Sequence, residues 1–303
     1  MTTKRDFLTI SDLSRDELAA TLALAGDLKG SREGARPLAG RSVGLLFSKS
    51  STRTRVSFEV GAWQLGAYPV FLSPGDSHLE RGEPIRDTAR VLSRYLDALV
   101  IRIASHEEAE ELARFATIPV INGLTDLLHP CQVLADLFTI RESLGGWEGK
   151  IVAWVGDGNN VANAWIDAAG LLGFELRLAC PEGYEPDRGI FERNAGRTRL
   201  VITEEPEEAV EGAAVVSTDV WASMGQEADL EQRRKAFQGY TVTSELLERA
   251  APGAIFLHCL PAHRGEEVEE SVLEGPRSKV WDEAENRLHV QKALLLKLVT
   301  VDH

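Results

Sequence analysis

The densest concentration of ligand-binding groups in the chain is Phe47-Ser-Lys-Ser-Ser-Thr-Arg-Thr-Arg55, which sets hydroxyls and three cations between an apolar run and a helix-like pattern. Ser and Thr donate hydrogen bonds, Arg53 and Arg55 can fork onto phosphate oxygens, and the start of the next helix adds free N–H groups and a positive dipole end. A hydroxyl-rich loop by itself is as often a solvated turn with a capping serine. Strand, loop, cations and helix start together favour phosphate binding, and the missing glycines exclude a Walker A loop.

Four further segments carry polar groups at the ends of apolar runs. In His129-Pro130-Cys131-Gln132, His129 can hydrogen-bond a carbonyl oxygen and Gln132 offers a donor and an acceptor to an amide, although His-Pro alone is more often a structural helix entry. Val155-Gly-Asp-Gly-Asn-Asn160 invites a dinucleotide reading, but Val161 stands where GxGxxG needs glycine, and no acid ends a second strand in the expected context. It remains a tight loop presenting asparagines. In Ser217-Thr-Asp-Val-Trp-Ala-Ser-Met-Gly225, Asp219 and Ser223 lie four apart, a spacing equally suited to a capping pair at a helix start. His258-Cys-Leu-Pro261 puts a thiol and the Leu260 carbonyl at the end of an apolar strand, with a Leu-Pro bond that can be cis. Cys259 taken alone is more often an inert buried thiol. No hydrolytic triad and no metal cluster is legible from spacing.

These segments need elements to hold them. Helix is expected over 11–28, 88–95, 107–116, 130–144, 162–172, 244–250 and 290–298, with Val56, Val60 and Trp63 also at helical spacing. Strands are expected over 41–47, 68–72, 98–103, 119–121, 150–156, 175–179, 213–218 and 254–257. Regular alternation in both halves predicts an α/β protein of two doubly wound parallel-sheet domains, with ligands at the carboxyl ends of strands in a cleft between them. The turn cluster Gly145-Gly146-Trp-Glu-Gly149 is the candidate boundary.

Composition agrees. The 303 residues are 44% apolar and 26% charged, ordinary values for a globular chain of two domains at ~100–200 residues each. A formal charge of −14 argues against bulk capture of nucleic acid or an anionic membrane, so an anionic ligand must be drawn by a local basic cluster. Three scattered cysteines, Cys131, Cys180 and Cys259, make no disulfide framework and suggest a reducing, cytoplasmic setting. The segment MTTKRDFLTISDLSRDEL reads as neither signal nor transit peptide, and no run approaches the ~20 apolar residues that span a bilayer.

Ser51-Thr-Arg-Thr54, His129-Pro-Cys-Gln132, Asp219-x-x-x-Ser-Met-Gly225 and His258-Cys-Leu-Pro261, in that order over nearly the whole chain, resemble the aspartate/ornithine carbamoyltransferases, and the last two resemble the ornithine branch. The resemblance implies a carbamoyl-phosphate domain over 1–140 completed by a C-terminal helix, 286–303, an ornithine domain over 141–285, and a homotrimer with shared sites. It implies that Ser51, Thr52, Arg53 and Thr54 hold the phosphate, and that Arg102 and His129 bind the carbamoyl oxygen. By the same resemblance Gln132 and the Leu260 carbonyl fix the carbamoyl NH2, with Pro130 and Cys131 in the same motif and Arg287 a further contact. Asn160, Asp219, Ser223 and Met224 would hold ornithine, and Cys259 with Asp219 would orient its amine. His78 aligns with a position that reaches a neighbouring subunit, although Glu80 stands where many members have glycine.

The implied chemistry is consistent with the residues. An ornithine side-chain amine resembles lysine, with a pKa of about 10.4, so the site must strip its proton as attack proceeds. Arg102, His129 and Thr54 would stabilise the oxyanion, and no step calls for a metal or redox cofactor. A carbamoyl transferase for putrescine or acetylated ornithine is the nearest rival, and Ser223-Met224-Gly225 favours a free α-amino acid. An NAD-dependent dehydrogenase is disfavoured by Val161, and a catalytically dead relative by the intact motifs.

Overall fold

The computed structural model describes residues 4–31, 36–48, 51–73, 82–222 and 230–300. It divides into two compact units, Met1–Leu134 with Arg287–His303, and Ala135–Asn286.

In the first unit β1 (Ser42–Phe47), β2 (Tyr68–Leu72), β3 (Ala98–Arg102) and β4 (Val120–Leu124) form a parallel sheet in the order β2-β1-β3-β4. The central strands β1 and β3 are short, almost wholly buried runs, as expected where a sheet is covered on both faces. The register pairs Phe47 with Arg102, so the chain leaves β1 beside the last residue of β3, and Ser48 N donates to the Arg102 carbonyl at 2.8 Å. Between β1 and β3 the strand order reverses, the place where open α/β sheets bind ligands.

The helices of this unit are α1 (Arg15–Gly30), α2 (Thr52–Leu65), α3 (Ile85–Leu92) and α4 (His106–Phe115). The helix expected from Ser11 begins instead at Arg15. Ser14 Oγ accepts from Glu17 N at 3.2 Å and Glu17 returns a bond to Ser14 N at 2.9 Å, a reciprocal cap. Asp12 meanwhile accepts from the Leu8 and Thr9 N–H groups and holds a separate 3-10 turn over Ile10–Asp12. In α2 the buried face is Thr54, Phe58, Gly61, Ala62 and Leu65, while Val56 and Trp63 of the expected stripe are 49% and 64% exposed. The small residues Gly61 and Ala62 mark that face, and a count of large apolar residues passes over them. Leu46, Leu99, Ile101, Leu112 and Val120 fill a core under α3 and α4. Next comes α5 (Pro130–Leu144), opened by proline at its first position, where the missing N–H costs nothing.

In the second unit β5 (Ile151–Val155), β6 (Glu175–Ala179), β7 (Leu200–Thr203), β8 (Val215–Thr218) and β9 (Ile255–His258) form a parallel sheet in the order β7-β6-β5-β8-β9, with the reversal between β5 and β8. The helices are α6 (Asn160–Leu172), α7 (Arg188–Asn194), α8 (Pro206–Val210), α9 (Leu230–Ala236), α10 (Ser244–Glu248) and α11 (Glu270–Leu273). Phe237, Tyr240, Val242, Phe256, Val272 and Val280 pack with Val155 and Val216 as its core. The last helix, α12 (Val280–Val299), is ten residues longer at its start than its apolar spacing suggests. Its buried face includes Glu283, Asn286, Arg287, Gln291 and Lys292, and these polar positions interrupt the stripe. The division between the units falls inside α5 and α12. Among the described residues no helix is long and apolar enough to cross a membrane.

Candidate active site

At the β1/β3 reversal the structure gathers Thr54, Arg102, His129, Gln132 and Arg287, all buried. Each arrives from a different place: Thr54 from the first turn of α2, Arg102 from the end of β3, His129 and Gln132 from the entry to α5, and Arg287 from α12. The Arg287 guanidinium ties them together. Its Nη1 donates to Gln132 Oε1 at 2.5 Å, its Nη2 to Thr54 Oγ1 at 3.1 Å, and Nη1 lies 3.4 Å from His129 Nε2. A guanidinium only donates, so His129 Nε2 accepts and the ring proton sits on Nδ1. That Nδ1 is buried with no hydrogen-bond partner among the described residues. Burial, followed by the charges of Arg287, Arg102 and Arg53, holds His129 well below the usual imidazole range. His129 is therefore a neutral imidazole presenting one N–H donor in a field of arginines.

The neighbouring expected residues divide. Ser51 Oγ caps α2 by accepting from Thr54 N at 3.3 Å, and Thr52 and Arg53 are exposed on the first turn of that helix. Arg55, expected to fork onto phosphate, is turned to Glu59 at 2.9 Å and stacks 3.6 Å from the Phe71 ring centroid. Pro130 opens α5, and Cys131 Sγ donates to the Asn122 carbonyl at 3.3 Å. Burial pushes the Cys131 thiol up to about 12, which makes it a core group.

In the second unit the β5/β8 reversal carries Asp219, whose carboxylate is engaged on both oxygens. Oδ1 accepts from Val220 N at 2.8 Å and Cys259 Sγ at 3.0 Å, and Oδ2 accepts from Asn159 Nδ2 at 2.8 Å. Asn159 also caps α6, its Oδ1 accepting from the Val161 and Ala162 N–H groups. Sequence reasoning chose Asn160, which begins α6 and is half-buried. An asparagine directly before an apolar helix is a cap signature, and that signal points to Asn159. Cys259 is partly buried, and burial, Asp219, Glu283 and Asp136 push its thiol well above the usual range. It is a protonated donor to Asp219, unlike the depressed thiols that act as nucleophiles.

The glycines that invited a dinucleotide reading have local work. Gly156 has φ +129°, and a side chain on Gly158 would stand 2.2 Å from Pro186 N and 2.3 Å from the Glu185 carbonyl carbon. Between them Asp157 pairs with Arg233 Nη1 at 2.9 Å. Burial, opposed by Arg233 and reinforced by Asp219, pushes the Asp157 carboxyl up to about 6. After β9, the Leu260–Pro261 bond is cis and Leu260 has φ +56°. His78, Ser223 and Met224 lie outside the described residues.

Two switch-point sites on two doubly wound units define a two-domain α/β enzyme class, and the sequence matches one family throughout. The carbamoyl-P binding domain of the aspartate/ornithine carbamoyltransferases matches residues 5–142, and the Asp/Orn binding domain matches residues 148–298. The chain belongs to the aspartate/ornithine carbamoyltransferase family. It is 56% identical over 300 residues to the ornithine carbamoyltransferase of Geobacter sulfurreducens, covering 97% of this chain and 99% of that one. It is 51% identical over 300 residues to that of Methanoculleus marisnigri, covering 98% and 97%. Among solved structures, ornithine carbamoyltransferase from Pyrococcus furiosus superposes with a TM-score of 0.92 at 47% identity over 99% of each chain. That from Thermus thermophilus gives 0.91 at 45% identity over 99% of this chain and 100% of that chain.

Proposed function

We propose that the protein transfers the carbamoyl group of carbamoyl phosphate to the side-chain amine of L-ornithine, giving L-citrulline and phosphate. The observation that carries this reading is the likeness, over nearly the full length of both chains, to relatives named ornithine carbamoyltransferase. The chemistry of the two clusters supports it. Arg53, the first turn of α2 and Arg287 suit a phosphate dianion, with Ser51, Thr52 and Thr54 as further donors. The Nδ1–H of neutral His129 and the Arg102 guanidinium suit the carbamoyl oxygen, where negative charge develops during attack. The Gln132 side-chain oxygen and the Leu260 carbonyl are acceptors by type, suited to the carbamoyl NH2.

Asp219, with Cys259 and Asn159 bonded to it, would receive the amine end of ornithine, and Asn160, Ser223 and Met224 would hold the rest of the molecule. In the balanced step the amine nitrogen bonds to the carbamoyl carbon, the carbon–oxygen bond to phosphate breaks, and the proton lost by nitrogen leaves on the phosphate. The finer expectations belong to the same proposal: a homotrimer in which His78 completes a neighbouring site, a cytoplasmic setting, and a place in arginine biosynthesis.

The test is turnover by the purified protein. L-Ornithine and carbamoyl phosphate give citrulline, with putrescine and N-acetylornithine slower by ~10²-fold or more. No citrulline, or faster carbamoylation of putrescine, rejects the assignment. Light scattering at three times the 33.2 kDa chain mass checks the trimer.

A further inference from the structure

His258 belongs to a motif that the proposed chemistry uses only through its neighbours Cys259 and Leu260, and Glu267 carries no assigned part. Both side chains are fully buried, and they meet at 3.1 Å, His258 Nε2 to Glu267 Oε1. The other ring nitrogen, Nδ1, accepts from Leu260 N at 2.9 Å. A backbone N–H can only donate, so Nδ1 carries no proton and Nε2–H is the donor to Glu267. The same Glu267 Oε1 accepts from His263 N at 2.6 Å. One carboxylate oxygen thus holds both ends of the turn from His258 to His263, while Glu283 Oε2 anchors its entry by accepting from His258 N at 2.9 Å. Inside that turn Leu260 has φ +56°, the left-handed region that L side chains rarely adopt and that persists only where the surroundings impose it. Leucine has no side-chain hydrogen bond with which to hold that conformation itself. The Leu260 N–H to His258 Nδ1 bond is one restraint supplied from outside the residue, beside the packing of its side chain on the core.

We propose that His258 and Glu267 are positioning residues for carbamoyl transfer: Glu267 fixes the Nε2-protonated tautomer of His258, whose Nδ1 then holds Leu260 in the left-handed conformation that sets its carbonyl for the carbamoyl NH2. This inference rests on the proposed use of the Leu260 carbonyl. His258→Gln and His258→Asn separate the two halves of the relay. Gln places an amide near Nε2 and keeps a group for Glu267, whereas Asn places an oxygen near Nδ1 and keeps the acceptor for Leu260 N. His258→Gln lowers kcat ~10²-fold, the scale of a misplaced reacting group, with the apparent KM of both substrates within about threefold. His258→Asn recovers most of that loss, to within about fivefold of the parent.

A merely structural role moves both variants alike, and equal kcat values in the two overturn the proposal. A second measurement needs no variant: long-range ¹⁵N–¹H correlation on histidine-labelled parent protein finds His258 protonated on Nε2, and protonation on Nδ1 overturns the relay outright. Parent turnover separately tests the carbamoyl-transfer reading. An inactive parent with the Nε2–H tautomer counts against that reading, while an active parent with the Nδ1–H tautomer counts against the relay.

Discussion

The two ligand clusters stand in opposite electric fields. His129 is surrounded by Arg287, Arg102 and Arg53, which join burial in keeping a second proton off its ring. Cys259 is surrounded by Asp219, Glu283 and Asp136, which join burial in keeping the proton on its sulfur. Each belongs to a cluster whose other members come from a strand-order reversal of a parallel sheet, Thr54 and Arg102 in one and Asn159 and Asp219 in the other, so the fold gives the clusters equivalent positions and the side chains give them contrary charge. The chain carries −14 overall, and the positive field is a local construction from residues far apart in sequence. The contrast suits the ligands proposed for them, an anion at the first cluster and an amine at the second.

Removing the positive cluster's single-proton donor is the strongest way to break this comparison. His129→Ala lowers kcat by ~10²–10³-fold, the usual cost of one donor to a developing oxyanion, and steady-state kinetics read it directly. Retained turnover removes His129 from the chemistry. Because the folded site holds the imidazole neutral, His129 shows no titration between pH 6 and 8 in ¹⁵N spectra of the parent. Arg53→Ala ranks next. Arg53 is exposed on the first turn of α2, so the fold survives, and calorimetry reads a loss of ~10–100-fold in carbamoyl-phosphate affinity, the worth of a charged hydrogen bond. Unchanged affinity places the phosphate elsewhere.

What the sequence makes legible differs between the clusters for physical reasons. The strand-by-strand alternation and the exact span of α5 follow from apolar runs and a proline at the first helical position. The polar loop before α2 is legible because hydroxyls and cations crowd one contiguous segment. Arg287 is not legible in that way. It lies 155 residues from Gln132 and 233 from Thr54, and on the sequence alone only the family resemblance marks it. Asn159 was open to local reasoning as a cap, but its bond to Asp219, 60 residues away, was not. The buried face of α2 was hidden because its small residues carry the packing while Val56 and Trp63 carry the hydrophobicity. Glu267 gave no signal, since a glutamate beside Glu266 in sequence looks like surface.

The negative cluster answers to milder changes. Asp219→Asn keeps the shape but removes the charge, and the ornithine KM rises ~10-fold or more while carbamoyl-phosphate affinity holds within about twofold. A fall in carbamoyl-phosphate affinity instead merges the two clusters' roles. Cys259→Ser keeps a donor to Asp219 and costs ~10-fold or less, because the thiol acts protonated. Loss of all turnover, or a carbamoyl thioester seen by mass spectrometry, makes the thiol a nucleophile and overturns its reading as a hydrogen-bond donor.

The smallest effect tests the negative field by titration. Asp157 lies near Asp219, and its carboxyl is pushed up to about 6 by burial even though Arg233 opposes the rise. A carboxyl whose folded value lies above its ordinary value near 4 binds its proton more tightly in the folded protein. Its stabilising contribution is then complete below about pH 4 and is lost as pH rises through about 6. Asp157→Asn resembles the protonated form and lacks this dependence. The stability of the parent relative to the variant falls by about 2–3 kcal/mol between pH 4 and pH 7, read from denaturant midpoints at each pH. If that difference stays constant, the Arg233 pair fully offsets burial and the Asp157 carboxyl titrates alike in the folded and unfolded chain.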